Sequence, residues 1–244
     1  MKQHEAVIQT LREHGGYATL GYLNQHALKI SDCHWGTKTP FASIRRIVQE
    51  HPAIFKIKPG LWGLVEYQDA ILQKFSLDSK AEPAKQEEFN HTYYQGLLVE
   101  IGNHRGFATW IPNQDKNRVF LDKRLADIAT LSQFPPFTYG HVLDRARTID
   151  VIWFNTRNFP EACFEVEHST DIQNSLLKFV ELQDFRTKLN IVADTVRQKE
   201  FETKLNYSGF TSIQESVRFV DYESLSSLHA KVSELSTITK AIGI

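Results

Sequence analysis

Ile149-Asp150-Val151-Ile152-Trp153-Phe154, followed after a turn by Cys163-Phe164-Glu165-Val166-Glu167-His168, is the stretch on which the reading of this chain rests. Both pieces read as short buried strands interrupted by acids. Carboxylates on buried strands need a neutralising partner, and a divalent cation is the natural candidate. Asn155 to Glu161, with Pro160, supplies turn chemistry for a hairpin that brings Asp150 and Glu165 together. Glu165 and Glu167 are two apart, so on a strand they share a face.

Working outward, Phe89 to Asn103 has a helical pattern, and Phe107 to Pro112 reads as the strand after it. Residues 113–147 are less regular and include an aromatic loop, Phe134 to Gly140. Beyond Glu167, Ser169 or Thr170 is expected to cap a helix carrying Leu176, Leu177, Phe179, Val180 and Leu182. Leu189 to Asp194 is the next strand, Thr195 to Leu205 a helix, Val217 to Val220 a last strand, and Tyr222 to Leu235 a closing helix. An antiparallel unit followed by alternating helices and strands predicts a mixed α/β sheet flanked by helices on both faces.

The front of the chain is different. Ala6, Val7, Ile8 and Leu11 form one helical stripe ended by Gly15-Gly16. A second helix fits Leu20 to Leu28, and Thr39-Pro40 opens a third, to Glu50, with Thr39 as N-cap. Ile54 to Lys58, a Pro59-Gly60 turn and Leu61 to Val65 then read as a two-stranded wing. Three helices and a wing predict a winged helix-turn-helix over residues 1–67. The apolar pattern weakens from Gln68, and Leu77 to Glu88 has linker composition. The expected division is therefore 1–67, a linker over 68–88, and the mixed α/β domain over 89–244.

At 41% hydrophobic and 23% charged residues, the 244-residue chain has enough apolar material for sizeable cores. It lacks an apolar run near the roughly 20 residues of a membrane span, and its start does not read as a signal peptide, so a cytoplasmic location is expected. Two cysteines, Cys33 and Cys163, exclude a disulfide framework and a four-cysteine zinc site. The net charge of -1 hides an asymmetry: residues 1–67 hold eight Lys or Arg against five acids. A mildly basic front end fits contact with polyanions.

The acid spacing resembles the PD-(D/E)xK nuclease signature, over roughly Glu87 to Asp194. Ile149 stands where the family has proline, and Glu167 where lysine is usual; some restriction endonucleases of that fold carry the same Glu-x-Glu form. Trp35 to Pro40 and Gly60 to Leu64 resemble the HARE-type helix-turn-helix, which occurs joined to restriction endonucleases. Together these resemblances imply a restriction-type endonuclease acting on double-stranded DNA as a homodimer. They imply Mg²⁺ or Mn²⁺ held by Asp150, Glu165 and the Val166 carbonyl, with Glu167 orienting water, accepting a proton or holding a second ion. Glu100 is the candidate for an extra acid from the preceding helix, unless it is an ordinary surface residue. Lys178 is the candidate for a lysine migrated to the helix after the acidic strand.

On the third helix and wing, Lys38, Thr39, Ser43, Arg45, Arg46, Gln49, Lys56 and Lys58 are the expected DNA contacts. Arg145 and Arg147 either touch phosphates or are solvent-facing strand residues. Lys116, Arg118, Lys123 and Arg124 read as a solvated charge run, and His168 as a residue of the opposite sheet face. Two alternatives stay open: a non-catalytic DNA-binding regulator with a degenerate nuclease-like domain, and a protein-interaction module whose acids pair with Arg145, Arg147 or Lys178.

Overall fold

The computed structural model describes residues 1–169 and 171–243 and shows a mixed α/β protein. It divides into two compact units, Met1–Gln86 with Ser226–Ile244, and Glu87–Leu225.

In the first unit, α1 (Gln3–Glu13), α2 (Leu20–His26) and α3 (Pro40–Glu50) accompany β1 (Tyr17–Thr19), β2 (Ile54–Lys58) and β3 (Leu61–Leu64). The strands form an antiparallel sheet in the order β1-β3-β2. Val7, Leu11, Leu23, Ile44, Val48 and Leu64 make the core, placed there by helical stripes and strand alternation. Gly60 turns β2 into β3 with φ of 77°, a conformation that a side chain would strain. Thr19 caps α2, its Oγ1 accepting from the Tyr22 N–H at 3.1 Å. Thr39 occupies the N-cap position of α3 without a side-chain cap bond, because its ψ of 65° departs from the extended backbone a cap uses.

The stretch read as a linker is partly helical. α4 covers Gln68–Lys74, and α5 (Pro83–His104) starts earlier than Phe89, because proline at the first helical position loses nothing by lacking an N–H.

The second unit centres on a five-stranded sheet in the order β10-β9-β8-β7-β4. β4 (Ala108–Trp110), β7 (Val151–Phe154) and β8 (Pro160–Glu167) pair antiparallel, while β8, β9 (Lys188–Ala193) and β10 (Val217–Asp221) run parallel. β5 (Val119–Phe120) and β6 (Lys123–Arg124) form a separate small ribbon, followed directly by the short helix α6 (Leu125–Ile128). Asn155 shapes the β7–β8 turn, its Oδ1 accepting from the N–H groups of Arg157 and Phe159. A parallel pair needs a crossover, and α8 (Ile172–Val180) supplies it between β8 and β9. Asp171 caps α8 by accepting from the Gln173 N–H at 3.0 Å; Ser169 does not, and Thr170 lies outside the described residues. α9 (Gln198–Leu205) fills the next crossover, and α10 runs over Tyr222–Ile242.

Period-2 alternation on β8 sorts the faces. Cys163 joins Ile152, Phe154, Leu176 and Phe179 in the core beneath α8. The aromatic loop turns inward onto it, with Phe134 and Phe137 at 5.6 and 6.0 Å from Phe154. On the other face Trp153 donates its indole N–H to the Leu98 carbonyl of α5 at 3.0 Å. Gly102 permits that approach: a Cβ there would stand 2.6 Å from both Thr109 Cγ2 and Trp153 Nε1.

Candidate active site

Asp150 immediately precedes β7, and Glu165 and Glu167 lie near the end of β8. All three carboxylates are at least nine-tenths buried, and so is Asp115, at 7%, 2%, 4% and 1% exposure. Burial of that many acids is costly unless each finds a donor or a cation. Asp150 Oδ2 accepts from the Val166 N–H at 2.8 Å. Glu165 is held by Lys178, whose Nζ donates to both carboxylate oxygens at 2.9 and 2.8 Å and to the Thr148 carbonyl at 3.0 Å. Ser175, three residues before Lys178 and so on the same face of α8, donates to Glu165 Oε2 at 2.9 Å and also meets Glu167 Oε1. One hydroxyl has a single proton to give, so it bridges two glutamates without fully satisfying both.

α5 and the segment after β4 complete the cluster. Gln95 Nε2 donates to Asp115 Oδ2 and to the Asp150 carbonyl, each at 2.9 Å. Arg118 Nε stands 3.2 Å from Asp115 Oδ1, and His91 Nε2 3.6 Å from Asp150 Oδ1. Arg197 Nη1 is 3.9 Å from Glu167 Oε2, and the Tyr222 hydroxyl donates to the Glu167 carbonyl.

Burial pushes Asp150 up to about 7, against the pull of Lys178 and the Val166 N–H. Burial and the neighbouring Asp150 raise Glu165, which Lys178 opposes. Burial lowers Lys178, and Glu165 and Asp150 outweigh it, so the ammonium stays charged. Burial depresses His91, leaving it a neutral imidazole at neutral pH. Ligand atoms of His91, Asp115 and Asp150 all lie within 4.8 Å of one another. His91 Nε2 and Asp115 Oδ1 are buried without a hydrogen-bond partner. Carboxylate oxygens and an imidazole nitrogen this close together, two of them without a hydrogen-bond partner, fit a divalent cation.

The family described as Type II restriction enzyme NmeDI C-terminal domain matches residues 73–242 of this chain. The chain belongs to that family. The match takes in every member of the acidic cluster. "Type II restriction enzyme NmeDI" of Neisseria meningitidis serogroup C is 28% identical over 163 residues, 62% of this chain and 46% of that protein. The chain thus spans about half the length of the relative it matches. No solved structure gives a significant match.

Within this NmeDI-type domain, Asp150, Glu165, Val166, Glu167 and Lys178 come together, while other expected residues stand elsewhere. Glu100 is nine positions beyond His91 on α5, which at 100° per residue is the opposite side of the helix. Arg145 and Arg147 are not strand residues; they lie on and just after α7 (Gly140–Ala146), and Arg147 pairs with Asp144 at 3.0 Å. Arg118 is not a solvated-face residue, since it meets the buried Asp115. His168 Nε2 lies 3.3 Å from Asn90 Nδ2, beside His91 in the chain. In the first unit, Lys38, Thr39, Arg46, Gln49 and Lys56 are exposed, and Ser43, Arg45 and Lys58 half-buried; Arg46 pairs with Glu50 at 2.8 Å.

Sequence reading missed His91, Gln95, Asp115 and Ser175. The four-residue spacing of His91 and Gln95 on a predicted helix was a usable signal for a shared face. Asp115 sits in a single turn of 3-10 helix with no periodicity to betray its burial. Among the described residues, no helix is long and apolar enough to cross a membrane.

Proposed function

We propose that the chain is a divalent-metal-dependent, restriction-type endonuclease that hydrolyses phosphodiester bonds of double-stranded DNA. The observation that carries this is the buried grouping of Asp150 and Glu165 with Lys178 bonded to Glu165, on a mixed sheet in a family named for a restriction enzyme. The arrangement supports a PD-(D/E)xK reading in which Lys178 of α8 supplies the lysine whose usual position on β8 is taken by Glu167.

Asp150, Glu165 and the Val166 carbonyl would hold Mg²⁺ or Mn²⁺ as oxygen ligands. When bound, such an ion supplies Lewis acidity at the scissile phosphate and a more acidic coordinated water. Lys178 orients Glu165 and places positive charge where negative charge develops. Glu167, which meets the Ser175 hydroxyl, is positioned to accept a proton from an attacking water.

Residues 1–67 support the reading of a HARE-type winged helix that binds DNA. Lys38 and Thr39 just before α3, Ser43, Arg45, Arg46 and Gln49 on α3, and Lys56 and Lys58 on β2 would meet phosphates and base edges. Arg145 and Arg147 are further phosphate contacts in this reading. Cutting both strands calls for two active sites, so the enzyme acts as a homodimer. Purified protein should nick or cut duplex DNA with Mg²⁺ or Mn²⁺, and Asp150→Ala or Glu165→Ala should abolish cutting while fold and DNA binding persist. Variants that cut like the parent would end this assignment.

A further inference from the structure

The cluster on the α5 side of Asp150 offers a second donor set that the nuclease reading does not use. Glu165 has both oxygens engaged by Lys178, and one of them also by Ser175. His91 and Asp115 are in the opposite condition. His91 Nε2 is buried, has no hydrogen-bond partner and points at Asp150 Oδ1 from 3.6 Å. Asp115 is 1% exposed, and its Oδ1 makes no hydrogen bond, because Arg118 Nε at 3.2 Å is out of line for one. A buried oxygen and a buried ring nitrogen that make no hydrogen bond each cost folding energy, which for Asp115 the Arg118 ion pair offsets in part, and a single ligand between them lowers both costs.

The supporting bonds hold this donor set in place. Gln95, one turn along α5 from His91, fixes Asp115 through Oδ2 and the Asp150 backbone through its carbonyl. Asp150 Oδ2 is anchored on the Val166 N–H, which leaves Oδ1 turned to His91. The two carboxylates are therefore oriented by hydrogen bonds from atoms that do not themselves ligate, as in metal sites with supported ligands.

We propose that His91, Asp115 and Asp150 form a cation site selective for a first-row transition ion over Mg²⁺. This inference rests on the nuclease reading only for the role of Asp150, which both ligand sets share. Mg²⁺ takes oxygen ligands and keeps its waters, whereas an imidazole nitrogen is held more strongly by Mn²⁺ and increasingly by Co²⁺ and Ni²⁺. A donor set of two carboxylates and one neutral imidazole therefore discriminates by the nitrogen.

Mn²⁺ alone, added to the full chain, is the probe. Pulsed electron paramagnetic resonance should show the nitrogen coupling of one directly bound imidazole, and its absence from the wild-type spectrum overturns the proposal. His91→Gln should remove that coupling and weaken Mn²⁺ at least about tenfold while changing Mg²⁺ affinity far less. Coupling that persists in a folded His91→Gln chain overturns it too. Should His91→Gln fail to fold, Asp115→Asn, which can still accept from Gln95, is expected to weaken Mn²⁺ by a similar factor; unchanged affinity refutes the site. Unchanged Mn²⁺ binding in both variants, with cleavage still lost in Asp150→Ala, removes this inference and leaves the nuclease reading standing. Cleavage that survives in Asp150→Ala removes the nuclease reading, whatever the spectra show.

Discussion

Gly102→Ala places a methyl group in the tightest contact between α5 and the sheet. In an open helix this change adds stability, up to about 1 kcal/mol, by raising helix propensity. Here the new Cβ would stand 2.6 Å from Thr109 Cγ2, 2.6 Å from Trp153 Nε1 and 2.8 Å from Trp153 Cδ1. Neither neighbour has room to retreat. Thr109 is fully buried and its hydroxyl donates to Asn103 Oδ1 at 2.8 Å. Trp153 is 4% exposed and lies between Phe107 at 5.5 Å and Phe164 at 4.5 Å. Overpacking costs about 1–3 kcal/mol. Pushing Trp153 off the Leu98 carbonyl leaves a buried N–H unpaired, for about 1–3 kcal/mol more. Against a propensity gain of about 1 kcal/mol, the net expectation is a loss of about 3 kcal/mol, or about 6–12 °C in Tm for a chain of this size. Differential scanning calorimetry of the variant beside Gly106→Ala separates the causes. A Cβ added at Gly106 would meet no atom within 4 Å, and the φ there is 77°, so its substitution carries only the backbone strain of about 1–2 kcal/mol. An unchanged or raised Tm in Gly102→Ala would refute the close approach of α5 that puts His91 and Gln95 at Asp150.

Cation-free protein should lose stability as pH rises. Burial holds the folded Asp150 near 7, against an unfolded value of about 3.9, so the folded chain binds that proton more tightly and its advantage disappears between about pH 4 and pH 7. Thermal melts at pH 5 and pH 8 should show the lower Tm at pH 8, with a smaller difference in Asp150→Asn; equal differences would assign the effect to other groups. In the first unit, Lys56→Ala should reduce the salt dependence of DNA binding by about one counterion, and an unchanged slope in a fluorescence titration would take Lys56 out of the phosphate contacts.

Much of the site was legible because strand alternation is strict. Once β8 is a strand, Glu165 and Glu167 must share a face with Cys163, and α8, crossing over to the parallel neighbour β9, covers that face and brings Lys178 to the acids. In the first unit, the end of α1 before Gly15-Gly16 and the start of α3 at Pro40 followed from glycine and proline in the same way, whereas the unit itself reaches Gln86 and takes in Ser226–Ile244. What failed lacked such a period. Arg145 and Arg147 alternate with Ala146 as a strand would, yet the seven-residue helix α7 takes in Arg145 and Ala146 and leaves Arg147 just past its end. Asp115 owes its burial to Gln95, which is remote in sequence. The end of α10 at Ile242 was hidden by Thr237, Ile238 and Thr239, β-branched residues that are weak helix formers.

The pair Glu165–Lys178 gives the sharpest separation between a role in folding and a role in chemistry. Their side chains are 3% and 20% exposed, so both charges are largely removed from water. Lys178→Met would leave Glu165 with Ser175 as its remaining donor, and Glu165→Leu would leave the ammonium with the Thr148 carbonyl. Each single change abandons a buried charge and should cost about 3–5 kcal/mol. The double change removes both charges and supplies apolar volume beneath α8, where replacement of a buried ion pair ranges from neutral to stabilising by about 1–4 kcal/mol. Urea denaturation of the parent, both singles and the double should therefore give strong favourable coupling between the two sites. A double variant as unstable as the sum of the singles would mean that the pair is needed for folding. A double variant as stable as the parent but unable to cut DNA would mean that these charges are kept against the interest of stability. Chemistry at Glu165 would then be the reason the buried pair persists where two apolar side chains would fold as well.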